Sequence, residues 1–195
     1  MLGIFEDGAH RDFLTALVGA ATRAAGLPAT FDVRLTMGCR PRVFEEQALR
    51  ARSYDGIVVG IDARKAKPAT KRRRLVRYLP ETATVLWCVA CPSLEEWLMA
   101  DTEALRLALA ADRDDVGPVQ RPSRRASAEG TAKDRLRDTV SEALGFAPLR
   151  GGLEYAADVG AHVAAIRVGA RRNPDLHAIL TTDLPRFVTS LGQAR

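Results

Sequence analysis

The stretch Gly56-Ile-Val-Val-Gly-Ile-Asp62 decides the fold class of this chain. It is apolar, rich in β-branched residues and ends on an acid, which is typical of a strand buried on both faces of a parallel sheet. Weaker apolar runs predict three further strands, at 2–5, 30–36 and 83–90. Helical patterns fill the intervals, at about 10–25, 43–52, 70–78 and 92–110. This alternation predicts right-handed crossovers and an α/β fold with a small, mostly parallel sheet flanked by helices.

The chain is predicted to have three parts. Residues 1–111 form the α/β core. Residues 112–132 hold almost no large apolar side chains and are expected to be a mobile loop or linker. Residues 133–195 return to helical patterns, over 133–144, 157–171 and 184–191. We expect these last helices to pack on the core as a C-terminal helical cap.

Composition narrows the class of protein. Of 195 residues, 47% are hydrophobic, which is enough for a core without metals or disulfides. The odd set of cysteines, Cys39, Cys88 and Cys91, and the lack of a signal peptide indicate a reducing, cytoplasmic setting. Cys88 and Cys91 form a CxxC at an apolar run without a second pair of zinc ligands, so we expect them to be small core residues. No apolar stretch approaches the roughly 20 residues of a membrane span.

Positive charge is concentrated in one segment. The chain holds 29 Lys and Arg against 24 Asp and Glu. Residues 64–77 contain eight basic side chains and no acid. Such a segment attracts polyanions, because neutralised phosphates release counterions. A solvated helix face is the other interpretation. We name Lys71, Arg72, Arg73 and Arg74 as candidate nucleic-acid contacts.

Acidic residues follow three of the predicted strands. Glu6 and Asp7 follow the first, Asp62 the third, and Glu95 the fourth. The carboxyl ends of parallel strands meet at one edge, where ligands bind in open α/β sheets. Carboxylates at that density suit a hard cation such as Mg²⁺, or Mn²⁺. Beside a basic helix, such a site suits phosphodiester chemistry.

Each acid also has a structural interpretation. Glu6 can stabilise the start of the following helix, and Asp62 can cap the turn into the basic segment. Glu95 can pair with a nearby arginine. His10 is either a base or ligand near Glu6 or a histidine on a helix surface. The tryptophan of the fourth helical pattern, Trp97, is expected in the core.

Three motifs resemble one bacterial family. They are Ile4-Phe-Glu6-Asp-Gly-Ala-His10-Arg-Asp-Phe-Leu14, then Val58-Val-Gly-Ile-Asp62-Ala, then Cys91-Pro-Ser-Leu-Glu95-Glu-Trp97-Leu-Met-Ala-Asp101. The family is TOPRIM-like, has no assigned function, and is related to RloB and to the TOPRIM domain of OLD-family nucleases. The resemblance spans most of the chain but rests on short motifs.

The resemblance implies a TOPRIM-like fold and roles for three acids. Glu6 would be the general acid/base or a metal ligand, Asp62 the metal-binding aspartate, and Glu95 the glutamate of the tryptophan-containing segment. TOPRIM domains act on nucleic-acid strands with Mg²⁺, and OLD-type relatives work with an ATPase, often in phage defence. The sequence departs from the pattern at Arg64, where a second acid would stand, and at Asp7, where a glycine is usual.

Two functions are therefore expected from the sequence. The first is a Mg²⁺-dependent, nuclease-like subunit in which Glu6 moves protons and Asp62, Glu95 and Asp7 hold the metal, acting with a partner ATPase. The second is a catalytically inactive TOPRIM-like module that binds nucleic acid or a protein partner.

Overall fold

A computed structural model describes residues 1–27, 29–36, 41–113, 116–120 and 130–193. Within these ranges, four strands form one sheet in the order β2-β1-β3-β4, and every pairing is parallel. The strands are β1 (Leu2–Phe5), β2 (Asp32–Leu35), β3 (Ile57–Asp62) and β4 (Val85–Ala90). The predicted α/β class with a small parallel sheet flanked by helices is confirmed.

Nine α-helices are present in the described part of the chain. They are α1 (Gly8–Ala24), α2 (Pro41–Ala48), α3 (Pro68–Leu75), α4 (Leu94–Leu98), α5 (Thr102–Ala110), α6 (Ala132–Leu144), α7 (Ala156–His162), α8 (Pro174–Ala178) and α9 (Leu184–Gln193). A π-helical stretch, Ile179–Asp183, joins α8 to α9, and single 3₁₀ turns occur at Ala51–Ser53, Val76–Tyr78 and Leu153–Tyr155. No helix within the described ranges is long and apolar enough to cross a membrane.

The core lies on both faces of the sheet. On one face, side chains of α1, α5, α6, α7 and α9 pack in a single cluster with β4, Phe5 of β1 and Val58 of β3. On the other face, α2 and α3 contribute Phe44, Ala48 and Leu75 to a smaller cluster with β1, β3 and β4. The C-terminal helices thus complete one face of the same core, as a helical cap was expected to do.

Two glycines set how closely helix α1 packs. A Cβ at Gly60 in β3 would lie 2.2 Å from Leu14 Cδ1 of α1. A Cβ at Gly160 in α7 would lie 2.3 Å from the backbone oxygen of Phe13. Helix α1 is therefore held between β3 and α7 at distances that only glycine permits. This fixes the start of α1, and with it His10, at the edge of the sheet.

Two predicted helices were wrong in extent. The helix expected over 92–110 is broken into α4 and α5 because Asp101 leaves the helical conformation and caps Ala104. The helix expected over 157–171 ends at His162, and residues 163–172 form turns without a regular helix. Most of the predicted loop 112–132 lies outside the described residues, and so does Cys39. Trp97 and Cys88 are fully buried, as expected, whereas Cys91 is half-buried.

Candidate functional site at the carboxyl edge of the sheet

The strand order creates one switch point. β2 lies on one side of β1, and β3 and β4 lie on the other, so the chain reverses its direction of winding between β1 and β3. In open α/β sheets, ligands bind beyond the carboxyl ends of the strands at such a point. Glu6 follows β1 and Asp62 ends β3. Two of the acids selected from the sequence therefore meet where a site is expected.

Glu6 is held by two partners at the switch point. Its side chain is only 4% exposed. Oε2 accepts the backbone N–H of Asp62 at 2.9 Å, and Oε1 forms an ion pair with the guanidinium of Arg64. The structural role considered for Glu6, at the start of a helix, belongs instead to its neighbour Asp7, which is the N-cap of α1.

Arg64 reaches Glu6 because its backbone turns sharply after β3. Its φ of 54° lies in the left-handed region, which is uncommon for a residue other than glycine. The backbone N–H of Arg64 donates to the carbonyl of Pro92 at 2.7 Å, which fixes this turn. The side chain is 62% exposed although its carboxylate partner is buried. A guanidinium thus occupies the position in which the resemblance implies a second acid.

His10 bridges two carboxylates and is buried, with 1% of the residue exposed. Nδ1 lies 2.9 Å from Asp7 Oδ1, and Nε2 lies 3.1 Å from Asp62 Oδ1. Carboxylates accept hydrogen bonds, so a doubly protonated imidazolium satisfies both contacts. Burial opposes that charge, but the hydrogen bonds and charges of Asp62 and Asp7 outweigh it and raise the pKa of His10 to about 9. The interpretation of His10 as a helix-surface histidine was wrong, because the first turn of α1 faces the edge of the sheet.

Asp7 and Asp62 are both engaged in this network. Asp7 Oδ1 accepts the backbone N–H of His10 at 3.0 Å as well as its imidazole. Burial alone would raise the pKa of Asp7, but hydrogen bonds from His10 lower it to about 2. Asp62 Oδ1 accepts the imidazole of His10 and also the N–H of Leu94 at 2.9 Å. Asp62 therefore ties β3 to the first residue of α4, whereas the structural role considered for it was a cap on the turn into the basic segment.

Glu95 stands apart from the other candidate acids. It is half-buried in the first turn of α4, and no hydrogen bond or ion pair joins its carboxylate to another described residue. Its neighbour Glu96 makes the ion pair with an arginine, Arg135, that was considered for Glu95.

The donor set of this edge does not fit Mg²⁺ or Mn²⁺ as it is arranged. A hard cation needs several carboxylate or carbonyl oxygens directed at one point. Here a guanidinium binds Glu6, and an imidazolium binds Asp7 and Asp62. Within the described ranges, no three His, Cys, Asp or Glu side chains are grouped so that they could hold a metal ion. The positive charge that a metal would bring is supplied by the protein's own side chains.

The basic segment continues directly from this edge. It runs from Arg64 through α3 to the 3₁₀ turn Val76–Tyr78, and Leu75 anchors it in the core. Of its eight basic side chains, Arg64 alone has a carboxylate within 4.0 Å among the described residues. Arg72 lies over the ring of Trp87, 6.0 Å from the centroid. The segment therefore presents a largely uncompensated positive surface.

Searches for relatives complete this picture. No family model, curated protein or solved structure matches this chain. The description of the fold and of the edge network therefore comes from this structure alone. The TOPRIM-like resemblance remains a resemblance of short motifs.

Sequence reasoning missed two members of the network. Arg64 is counted from the sequence as part of the basic segment and as the absence of an acid, whereas in the structure it is the partner of Glu6. His10 was separated from Asp62, which is 52 residues away. The sequence does contain a signal for the contact between His10 and Asp7, because an Asp three residues before a His at a helix start suits an N-cap pair. No sequence signal identifies the contact between His10 and Asp62.

Proposed function

We propose that this protein is a nucleic-acid-binding module whose phosphate-contacting surface is the basic segment 64–77. The observation that carries the proposal is the charge of this segment. Seven of its eight basic side chains have no carboxylate partner within the described residues. They are Lys65, Lys67, Lys71, Arg72, Arg73, Arg74 and Arg77.

The arrangement of this surface suits a phosphate backbone. Arg72, Arg73 and Arg74 are exposed on one short helix, and Lys71 is half-buried beside them. Cations spaced along a surface neutralise successive phosphates, and the release of counterions favours binding without reading sequence. The surface lies next to the switch point, so a bound strand would pass along the carboxyl edge of the sheet.

The edge network favours binding over metal-dependent catalysis. Glu6 and Asp62 are bound by Arg64 and His10, so the structure offers internal cations where a phosphodiesterase would need a metal. We therefore place the catalytically inactive module, the second of the two functions expected from the sequence, ahead of the Mg²⁺-dependent nuclease. Partnership with an ATPase and a role in phage defence stay predictions of the resemblance.

The test is fluorescence anisotropy with labelled single-stranded DNA, double-stranded DNA and single-stranded RNA in chelator. Wild type should bind, and the Arg72→Gln/Arg73→Gln/Arg74→Gln variant should bind at least about tenfold more weakly, with a salt slope smaller by about 2–3. The control variant is Arg171→Gln/Arg172→Gln/Arg186→Gln, which removes the same charge from exposed positions elsewhere. Equal losses in both variants, or no binding by wild type, would overturn the proposal.

The nuclease remains the second candidate because Glu6 and Asp62 do meet at the switch point. The same oligonucleotides, incubated with Mg²⁺ or Mn²⁺, test it. Cleavage by wild type that is lost in Glu6→Gln would establish a catalytic edge. If the oligonucleotides stay intact, and if their affinity for the protein is the same in chelator and in metal, the nuclease is rejected and the binding module is retained.

A further inference from the structure

Two arginines converge on Gly8 at the start of α1. A Cβ placed on Gly8 would lie 3.8 Å from Arg11 Nη2 and 3.9 Å from Arg150 Nη2. The two guanidinium nitrogens are thus no farther apart than the sum of these distances. Arg11 belongs to α1, whereas Arg150 comes from the segment that follows α6, so two distant parts of the chain bring like charges together. Asp12 offsets the charge of Arg11 in part, and a bound anion would offset the charge that remains.

A third cation lies beside the segment that carries Arg150. Lys133 is exposed at the start of α6, and its Cε lies 4.0 Å from the position that a Cβ on Gly151 would take. Gly151 follows Arg150 directly. Arg11 and Arg150 at Gly8, together with Lys133 beside the neighbouring Gly151, are named here the Gly8 cluster, which is separate in sequence from the basic segment 64–77.

The nearby carboxylates leave this cluster positive. Asp12 binds Arg11 through Nε at 2.7 Å, and within the described residues the terminal nitrogens of Arg11 donate no hydrogen bond to a carboxylate. Glu154 accepts the backbone N–H of Arg150 at 3.1 Å and that of Gly152 at 3.0 Å, and it makes no ion pair with the Arg150 guanidinium. Asp7, also near the start of α1, is bound to His10.

We infer that the Gly8 cluster is a phosphate-binding position, with Arg11 and Arg150 as its guanidinium ligands and Lys133 as a supporting charge. Paired guanidinium groups match the oxygens of a phosphate with charge-assisted hydrogen bonds. Gly8 has no side chain, so a ligand can approach the backbone between them. The inference rests on the proposed function for its ligand, a phosphate group of a nucleic acid.

The placement extends the proposed surface across the edge of the sheet. Helix α1 packs on the face that the C-terminal helices cover, whereas α3 anchors Leu75 in the opposite face. The basic segment and the Gly8 cluster therefore flank the switch point from the two faces. A strand that contacts both would cross over Glu6, Arg64 and Asp62.

The first experiment uses inorganic phosphate alone. Backbone amide shifts of Gly8, Arg11 and Gly151 are followed by NMR at constant ionic strength, with chloride as the reference anion. Wild type should show saturable shifts at these amides, and Arg11→Gln/Arg150→Gln should lose them. Arg23→Gln/Arg186→Gln, which removes two exposed charges outside the cluster, should keep them. Shifts equal in both variants, or none in wild type, would overturn the inference.

A second variant tests whether phosphate needs the open space beside the backbone of Gly8, without changing the charge of the cluster. Gly8→Ala adds a methyl group whose nearest neighbours are the two guanidinium groups, at ordinary contact distances, so α1 should fold as before. If the cluster binds phosphate beside the backbone, this variant should weaken phosphate binding while all cations remain. Unchanged phosphate affinity in Gly8→Ala would place the anion away from Gly8 and overturn the assignment.

The last experiment separates the two sources of phosphate and the two proposals. Binding of a 5′-phosphorylated and a 5′-hydroxyl single-stranded oligonucleotide is compared for wild type and Arg11→Gln/Arg150→Gln. A loss of about tenfold in both oligonucleotides indicates backbone phosphates, and a loss confined to the first indicates a terminal phosphate. Affinities equal to those of the control variant would overturn the inference. Saturable phosphate shifts without any nucleic-acid binding would refute the proposed function and leave the phosphate position standing.

Discussion

Arg64 and Glu6 lie 58 residues apart in sequence and form an ion pair at the switch point between β1 and β3. The pair is asymmetric, because the Glu6 side chain is 4% exposed and the Arg64 side chain is 62% exposed. Glu6 also binds the backbone of Asp62, so it joins two neighbouring strands. An exposed arginine with a left-handed backbone therefore compensates a buried carboxylate at the centre of the sheet edge.

Loss of Arg64 should destabilise the fold through Glu6. Arg64→Gln leaves a buried carboxylate without its cation, and removal of one partner from a fully buried pair costs about 3–5 kcal/mol. Because Arg64 is largely exposed, water screens the pair, and we expect a loss of about 1–3 kcal/mol in the free energy of unfolding. Urea denaturation measures it.

Glu6→Gln and the double variant complete the test. The double variant removes both charges, so it should be less destabilised than the sum of the single variants. Lys67→Gln, an exposed cation of the same segment, serves as the control and should change little. Additive effects of the two single substitutions would show that the ion pair does not support the fold.

Stability should fall when the pH rises through the pKa of His10. Its folded-state pKa of about 9 is above the usual 6.5, so the contribution of the charged imidazole is fully present below pH 6.5 and lost as pH approaches 9. Asp7 acts in the opposite direction, because its pKa is lowered from 3.8 to about 2, so its contribution is present above pH 4 and lost as the pH falls to 2. In thermal unfolding measured from pH 3 to 10, the melting temperature should be highest between pH 4 and 6.5.

His10→Gln should remove most of the decline between pH 6.5 and 9. His162→Gln, which removes an exposed histidine of α7, controls for the loss of an imidazole as such. The pKa of His10 can be read from its ring protons by NMR. A decline that persists unchanged in His10→Gln would assign the pH dependence to other groups.

Asp101 should matter more to stability than any acid at the sheet edge. It is 1% exposed, caps α5 through the N–H of Ala104, accepts the N–H of Ala164 at 3.0 Å and binds Arg167 Nε at 2.8 Å. Asp101→Ala leaves these donors unsatisfied, and we expect a loss of about 2–4 kcal/mol in the free energy of unfolding. Glu103→Ala, which breaks a partly exposed ion pair with Arg106 that begins in the first turn of α5, should cost much less.

The sheet could be predicted from the sequence because its signal is local. β3 is a six-residue strand whose first five residues are buried, and the acids at the ends of β1 and β3 follow from strand direction alone. The C-terminal helices were harder, because their ends depend on distant contacts. Val163 leaves the helical conformation where Asp101 binds the N–H of the next residue, and no local pattern shows that contact.

The chemistry at the edge was predictable only in part. The positions of Glu6, Asp7 and Asp62 come from the alternation of strands and helices. What they bind depends on the side-chain directions of His10 and Arg64 and on one backbone dihedral, the positive φ of Arg64. A carboxylate at a strand end reads the same in sequence whether its partner is a metal ion or an arginine, so the sequence favoured a metal where the structure has internal cations.

Gly160→Ala should be among the most damaging small substitutions in the chain. A Cβ at this position in α7 would lie 2.3 Å from the backbone oxygen of Phe13 and 3.0 Å from its carbonyl carbon. Backbone atoms cannot rotate away as a side chain can, so α1 and α7 must separate. We expect a loss of about 1–3 kcal/mol or more in the free energy of unfolding, measured by urea denaturation. Gly169→Ala is the matched control, since nothing lies within 4 Å of its added methyl group. Because α1 also carries His10, the Gly160→Ala variant should disturb the NMR signals of that imidazole, and the control variant should leave them unchanged. Equal stability of the two variants would show that this contact does not hold α1.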